Sequence, residues 1–209
     1  MSYDRILSQV RQYYDEKIQA HGPTAKGVDW NSAESQQLRF RQLLKVVADG
    51  TPFTINDFGC GYGALAQYLE DVGAAVEYCG FDISAEMIGK AQAAQRSASC
   101  ATFVSRETDL HEADYTVASG IFNVKLDTPV LEWENYILKT LTTINSLSKR
   151  GFAFNVLTKY SDQEFMRSNL YYADPLFYFD YCKTNFSRFV TLLHDYPLYE
   201  FTMIVRKDS

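Results

Sequence analysis

The chain has 209 residues, and its 20 Lys and Arg against 26 Asp and Glu give a formal net charge of −6 at pH 7. This length predicts a single domain. The acidic balance argues against a nucleic-acid partner or an anionic membrane surface, because both need clustered Lys and Arg. No apolar run approaches the roughly 18 residues of a membrane span.

The N-terminal segment MSYDRILSQV lacks the charged-then-apolar order of a signal peptide. The cysteines are scattered and form neither a C-x-x-C pair nor a metal-ligand spacing. They are Cys60, Cys79, Cys100 and Cys182. Scattered thiols are typical of a reducing compartment. We therefore expect a cytoplasmic protein without a metal site.

The first 50 residues predict two helices. Apolar side chains recur at helical spacing over residues 4–20, and His21-Gly22-Pro23 ends this helix. The loop KGVDW (26–30) follows and carries Trp30. A second helix buries Phe40, Leu43, Leu44 and Val47. We expect residues 1–50 to form a helical cap and residues 51–209 the main domain, together one structural unit.

From residue 53 onward, predicted strands alternate with predicted helices. Seven strands are predicted at 53–58, 76–81, 101–104, 115–119, 152–157, 189–193 and 200–205. Alternation predicts an α/β fold with a mostly parallel sheet and right-handed crossovers. The last two strands are too close for a crossover and are expected to pair as an antiparallel hairpin.

A glycine-rich loop follows the first predicted strand. In Gly59-x-Gly61-x-Gly63 the backbone can pass close to a ligand, and the next helix begins there with unpaired N–H groups. Asp82 ends the next strand, where a carboxylate can accept hydrogen bonds from ribose hydroxyls. The spacing departs from the dinucleotide fingerprint G-x-G-x-x-G, and the P-loop lysine is absent. An adenosine-containing cofactor is predicted, with a plain tight turn as the alternative.

These residues resemble class I S-adenosylmethionine-dependent methyltransferases, in particular a bacterial small-molecule subgroup. The matching segments are DFGCGYG (57–63), FDISAEM (81–87) and YTVASGIFN (115–123), within a likeness that covers about residues 50–206. The resemblance implies a Rossmann-like, three-layer fold and S-adenosyl-L-methionine as cofactor. The cofactor-binding residues that it implies in the main domain are Asp57, Gly59, Gly61, Tyr62, Gly63, Asp82, Ile83, Met87, Ser119 and Gly120.

The same likeness assigns further roles. Asp82 is expected to bind the ribose, and an acid after the third strand the adenine amino group. We assign the adenine contact to Asp109, with Glu107 as the alternative. The N-terminal helices are expected to fold over the cofactor cleft. Trp30 and Arg39 would then close the cleft, with Arg39 binding the methionine carboxylate; ordinary packing and a surface arginine are the alternative.

Candidate acceptor residues follow the fourth and sixth predicted strands, since open α/β sheets bind ligands at their carboxyl ends. Asn123 and Phe122 are candidates for holding the acceptor, or they pack and cap the loop. His194 is the candidate base because histidine titrates near neutral pH, or it hydrogen-bonds its own turn. The Asn/Asp-Pro-Pro-aromatic motif is absent here, which argues against DNA or glutamine as the acceptor.

A long tyrosine-rich insert, residues 158–183, follows the fifth strand. Within it Tyr160, Tyr171 and Tyr172 are predicted to wall a substrate pocket. The predicted activity is methyl transfer to an O or N atom of a small soluble metabolite of sugar, amino-acid or secondary-metabolite type. A protein or peptide methyltransferase and a non-catalytic cofactor-binding subunit are the alternatives. Neither nucleic acid nor membrane is expected as a partner, and the choice between monomer and homodimer stays open.

Overall fold

A computed structural model describes residues 3–48, 52–95 and 101–207. Its sheet has seven strands in the order β3-β2-β1-β4-β5-β7-β6. They are β1 (Phe53–Phe58), β2 (Val76–Phe81), β3 (Ala101–Val104), β4 (Ala113–Ala118), β5 (Ser148–Leu157), β6 (Phe189–Leu193) and β7 (Glu200–Arg206). Strands β1 to β5 pair in parallel, whereas β7 is antiparallel to both β5 and β6. The predicted Rossmann-like α/β sheet with its C-terminal hairpin is confirmed.

Six α-helices flank the sheet within the described ranges. They are α1 (Tyr3–His21), α2 (Ala33–Leu43), α3 (Ala64–Asp71), α4 (Ala85–Ala94), α5 (Val130–Ser146) and α6 (Pro175–Asn185). In those ranges no helix combines the length and apolar character needed to cross a membrane.

Two buried clusters lie on opposite faces of the sheet. Along β5, Phe152 and Phe154 belong to one cluster and Ala153 to the other, because successive strand residues point to opposite faces. Helices α1, α5 and α6 contribute to the first cluster, and α2 and α3 to the second. The N-terminal helices thus take part in both cores; residues 49–51, where we expect the cap to end, lie outside the described residues.

The strand order reverses between β1 and β4, which are neighbours in the sheet although two strands separate them along the chain. In open α/β sheets, ligands bind in the crevice at the carboxyl ends of the strands where this reversal occurs. The glycine loop follows β1, Asp82 follows β2 and Ser119 follows β4. The fold therefore brings these three segments to one edge of the sheet.

Candidate functional site

The glycine loop and the end of β2 are tied together by hydrogen bonds. The N–H of Gly61 donates to Oδ2 of Asp82 at 2.9 Å, and the N–H of Ser84 donates to Oδ1 of Asp82 at 2.8 Å. Each carboxylate oxygen has about two lone pairs. Asp82 is thus fixed in place and keeps acceptor capacity for two further donors.

A cavity of about 280 Å³ opens beside this loop, and we call it the loop cavity. Most of the predicted cofactor residues line it. They are Trp30, Asp57, Gly59, Gly61, Tyr62, Asp82, Ile83, Met87, Ser119 and Gly120. Sequence reasoning missed Tyr14 of α1 and Tyr136 of α5, which also line it. Both recur at helical spacing with apolar residues of their helices, and that spacing does not distinguish a core side chain from a cavity wall.

Two carboxyl groups of the loop cavity have raised pKa values. Asp57 is 3% exposed and accepts a hydrogen bond from the Tyr78 hydroxyl at 2.7 Å. Burial raises the pKa of Asp57 to about 7, although the Tyr78 hydrogen bond acts in the opposite direction. Burial likewise raises the pKa of Asp82 to about 6, against the two backbone donors that lower it. Both acids therefore titrate near neutral pH.

The end of β4 supplies polar groups to the same cavity. Among the described residues, Ser119 Oγ is buried and has no hydrogen-bond partner. The next N–H, that of Gly120, donates to Asn155 Oδ1 at 2.7 Å. Since buried polar atoms are nearly always paired, the Ser119 hydroxyl indicates a place where a ligand group completes the structure.

Two predicted cofactor residues of the main domain lie elsewhere. Gly63 directly precedes α3, has φ +83° and is not part of the cavity wall; an added Cβ would lie 3.1 Å from the Phe103 ring. The loop approaches the Phe103 ring of β3 closely at this glycine. Asp109 binds Arg106 through both carboxylate oxygens, at 2.8 and 2.9 Å, outside the cavity. Glu107, the alternative for the adenine contact, lines the cavity, whereas Asp109 does not.

Trp30 forms part of the wall between the loop cavity and a larger neighbour. It lines both, as Tyr14 and Val28 do. Its ring approaches the backbone of Gly120 so closely that an added Cβ there would lie 2.3 Å from ring carbons. Gly120 also has φ +74°, a conformation that side chains with a Cβ avoid. A glycine at this position is what lets the indole close the cleft.

Arg39 packs against the indole and is held by a buried partner. Its guanidinium carbon lies 3.8 Å from the centre of the Trp30 ring. Its Nε donates to Oε2 of Glu200 at 2.8 Å, and the two residues are 6% and 0% exposed. Arg39 lines the larger cavity and not the loop cavity. The Glu200 ion pair thus holds Arg39 at the larger cavity and not at the loop cavity, where its contact with the methionine carboxylate was expected.

The larger neighbour, which we call the second cavity, has a volume of about 580 Å³. Connecting segments rather than strand ends supply most of its wall. Its polar and aromatic lining includes Asp29, Asn31, Arg39, Asn123, Ser161, Glu164, Phe165, Arg167, Tyr172 and Tyr199. Asn123 and Tyr172 are the predicted acceptor-site residues that the structure places there. Asn123 Oδ1 also accepts from the Leu157 N–H at 3.1 Å, so its side chain is fixed.

Four predicted acceptor-site residues lie outside both cavities. Phe122 is fully buried in the core. Tyr171 is also buried. Its hydroxyl donates a hydrogen bond to Glu134 at 2.8 Å and lies within hydrogen-bond distance of the Tyr178 hydroxyl, at 3.1 Å. Tyr160 is 58% exposed, and its ring lies 6.0 Å from that of the exposed His194. The structure thus places away from both cavities the acceptor candidate Phe122, the predicted pocket walls Tyr160 and Tyr171, and the candidate base His194.

In the part of the chain that the structure describes, no group of three or more His, Cys, Asp or Glu side chains is arranged to hold a metal ion. The polar groups around the two cavities are instead hydroxyls, amides, carboxylates and arginines. These groups bind organic ligands through hydrogen bonds.

Residues 32–184 match the family model described as a methyltransferase domain. The match covers well over half of the chain, and the protein belongs to the methyltransferase-domain family. Rv1506c of Mycobacterium tuberculosis, whose name assigns it to the methyltransferases, is 50% identical over 166 residues. That alignment covers 79% of this chain and 100% of the relative.

Solved structures show the same fold at low sequence identity. Magnesium protoporphyrin IX methyltransferase from Synechocystis, solved with S-adenosylhomocysteine, has a TM-score of 0.61 at 21% identity, over 83% of this chain and 84% of its own. Human N-acetylserotonin methyltransferase, solved with S-adenosylmethionine, has a TM-score of 0.68 at 15% identity, over 100% of this chain and 61% of its own.

Proposed function

We propose that this protein transfers a methyl group from S-adenosylmethionine to an O or N atom of a small molecule bound in the second cavity. The observation that carries the proposal is the shared wall: Trp30 borders both the loop cavity and the second cavity. Family membership and the ligands named for the two solved structures support the choice of cofactor. We further propose that it works in the cytoplasm, without nucleic acid.

The residues of the loop cavity suit this cofactor. Asp82 has free acceptor positions for two ribose hydroxyls, and Glu107 offers a carboxylate to the adenine amino group. Ile83 and Met87 supply apolar contacts for the adenine ring. The unpartnered Ser119 hydroxyl and the Gly120 backbone face the remaining, methionine part. When bound, S-adenosylmethionine supplies an electrophilic methyl group on a positively charged sulfur.

The protein contributes positioning and exclusion of water, since an in-line displacement consumes charge instead of creating it. Tyr14, Val28 and Trp30 line both cavities and therefore lie next to the proposed transfer path. A hydroxyl or amine acceptor must also lose a proton. Asp29 already accepts hydrogen bonds from Tyr13 and Lys17, each at 2.8 Å, so we assign proton removal to Glu164 of the second cavity.

The size of the second cavity favours a small molecule over a protein. Its volume of about 580 Å³ falls within the range of small-molecule sites, roughly 300–1,000 Å³. Two backbone bridges hold the first part of the bordering insert, Thr158 with Ala173 and Val124 with Leu170.

Calorimetric titration with S-adenosylmethionine and S-adenosylhomocysteine, with NAD as the control, tests the proposal. We expect micromolar dissociation constants for the first two and no heat of binding for NAD. A protein that binds neither sulfur compound, or that binds NAD equally well, would show that the cofactor assignment is wrong.

A further inference from the structure

The side chain of Arg39 is the starting point for an inference about the acceptor. It is 6% exposed and lines the second cavity. Its Nε is bound to Glu200, whereas its Nη1 is buried and has no hydrogen-bond partner among the described residues. A buried donor without a partner costs about 1–3 kcal/mol. Nη1 is therefore free to donate a hydrogen bond to an acceptor atom of a molecule that enters the cavity.

The charges around Arg39 determine which chemical group of the bound molecule can pair with Nη1. Glu200 is fully buried and lies 2.8 Å from Arg39, so the positive charge is already neutralised. The charged side chains that line the second cavity are two acids, Asp29 and Glu164, and two arginines, Arg39 and Arg167. With Glu200 behind Arg39, the region carries no excess positive charge. A second carboxylate at Arg39 would leave an uncompensated buried negative charge, which is expensive.

We propose that Nη1 of Arg39 donates a hydrogen bond to an uncharged oxygen of the methyl acceptor, a hydroxyl or carbonyl oxygen, and that Glu200 makes the site reject carboxylates. This inference rests on the proposed function, and it gives the acceptor class that the second cavity takes: a neutral, oxygen-bearing molecule. The indole of Trp30, stacked on the same guanidinium, supplies the adjoining apolar surface. Arg39 is thus a specificity-determining residue for the acceptor and not a ligand of the cofactor.

Benzamide and benzoate make a matched pair of probes, because they share ring and size and differ in charge. The protein is labelled with ¹⁵N and loaded with S-adenosylhomocysteine, and the indole N–H signal of Trp30 is followed. The chain has two tryptophans, so Trp30→Phe assigns the signal. We expect benzamide to shift it saturably and benzoate to bind at least tenfold more weakly, a difference of about 1.4 kcal/mol.

Removing the negative charge of Glu200 gives a sharper test. In Glu200→Gln the Arg39 charge is no longer compensated, so benzoate should bind at least tenfold more tightly than to the original protein and overtake benzamide. In Arg39→Met, benzamide should lose at least fivefold in affinity. If Arg39→Met fails to fold because it leaves the Glu200 charge unpaired, the double variant Arg39→Met/Glu200→Gln removes both charges and should likewise lose benzamide binding.

Three results would overturn the inference. They are benzoate binding as tightly as benzamide to the original protein, unchanged probe affinities in the Glu200 and Arg39 variants, and no saturable shift with either probe up to about 20 mM. The same spectra report binding of S-adenosylhomocysteine at the loop cavity. If the original protein binds S-adenosylhomocysteine but does not discriminate between the probes, only the inference is contradicted. If the original protein does not bind S-adenosylhomocysteine, the proposed function is contradicted.

Discussion

The loop cavity and the second cavity share Trp30 but are built in different ways. The loop cavity is formed largely where β1, β2 and β4 end, and much of its polar chemistry comes from backbone groups and short side chains next to them. The second cavity is formed largely by side chains on connecting segments, from Asp29 to Tyr199. The first therefore follows from the fold, whereas the second depends on which side chains the connections carry. Proteins that share this fold can therefore keep the loop cavity while the side chains of the second cavity differ.

The largest expected effect concerns the loop cavity without any ligand. The pKa of Asp57 is raised from 3.8 to about 7, so the folded state holds this proton more tightly than the unfolded chain does. The stability that it contributes is complete below about pH 4 and is lost as the pH rises through 7. At 1.36 kcal/mol per pKa unit, the loss is about 4 kcal/mol.

Denaturant unfolding of the original protein and of Asp57→Asn, at a series of pH values, measures this loss. The difference in free energy of unfolding should grow in favour of the variant between about pH 4 and 7 and then level off. A difference that does not change with pH would show that Asp57 is not held as a buried acid.

The second prediction concerns the wall between the cavities. In Gly120→Ala the new Cβ clashes with the Trp30 ring, and the left-handed conformation is strained as well. We expect a loss of about 3 kcal/mol in the free energy of unfolding, from about 1 kcal/mol of strain and about 2 of overpacking. Gly73→Ala is the matched control, since Gly73 has φ +68° and nothing within 4 Å of an added Cβ. Equal losses in both variants would mean that Trp30 does not press on Gly120.

The third prediction compares the contributions of Asp82 and Asp109 to the binding of S-adenosylhomocysteine. Asp82→Ala removes the acceptor for the ribose hydroxyls and should weaken S-adenosylhomocysteine binding at least tenfold, or about 1.4 kcal/mol. Asp109→Ala breaks only an exposed pair with Arg106 and should leave the affinity within twofold. Calorimetry measures both. An affinity that stays within twofold in Asp82→Ala contradicts the ribose assignment.

The smallest effect is expected at His194, which lies outside both cavities. His194→Ala should change neither the affinity for S-adenosylhomocysteine nor that for benzamide by more than twofold. Its exposed ring packs near Phe201 and Tyr160, so the free energy of unfolding should change by about 0.5 kcal/mol or less. A loss of benzamide binding in this variant would show that His194 takes part in the acceptor site.

The difference between the cavities also explains what the sequence could reveal. Gly59, Gly61 and Asp82 were predicted from contiguous motifs at strand ends, and the structure places them at one cavity. The partner of Arg39 lies 161 residues away along the chain, beyond the reach of any local pattern. Where contacts are long-range, residue type and spacing predict a tyrosine or arginine near the site but not which way it faces.

Neighbouring residues with similar side chains were the hardest to separate. Tyr171 is buried against Glu134 and Tyr178, whereas Tyr172 lines the second cavity and accepts a hydrogen bond from the Arg167 N–H. Asp109 and Glu107 differ in the same way, because the single helical turn at 107–109 sets only one of them at the cavity. A shift of one or two residues decides the role, and hydrophobic periodicity does not resolve such a shift in an irregular segment.

The indole shared by the two cavities has a thermodynamic consequence. A ligand that fixes Trp30 from one cavity removes part of the ordering that a ligand in the other cavity would otherwise have to supply. Such coupling is reciprocal: whatever factor the cofactor adds to the affinity for the acceptor, the acceptor adds to the affinity for the cofactor. Coupling of this kind favours the ternary complex over either binary complex.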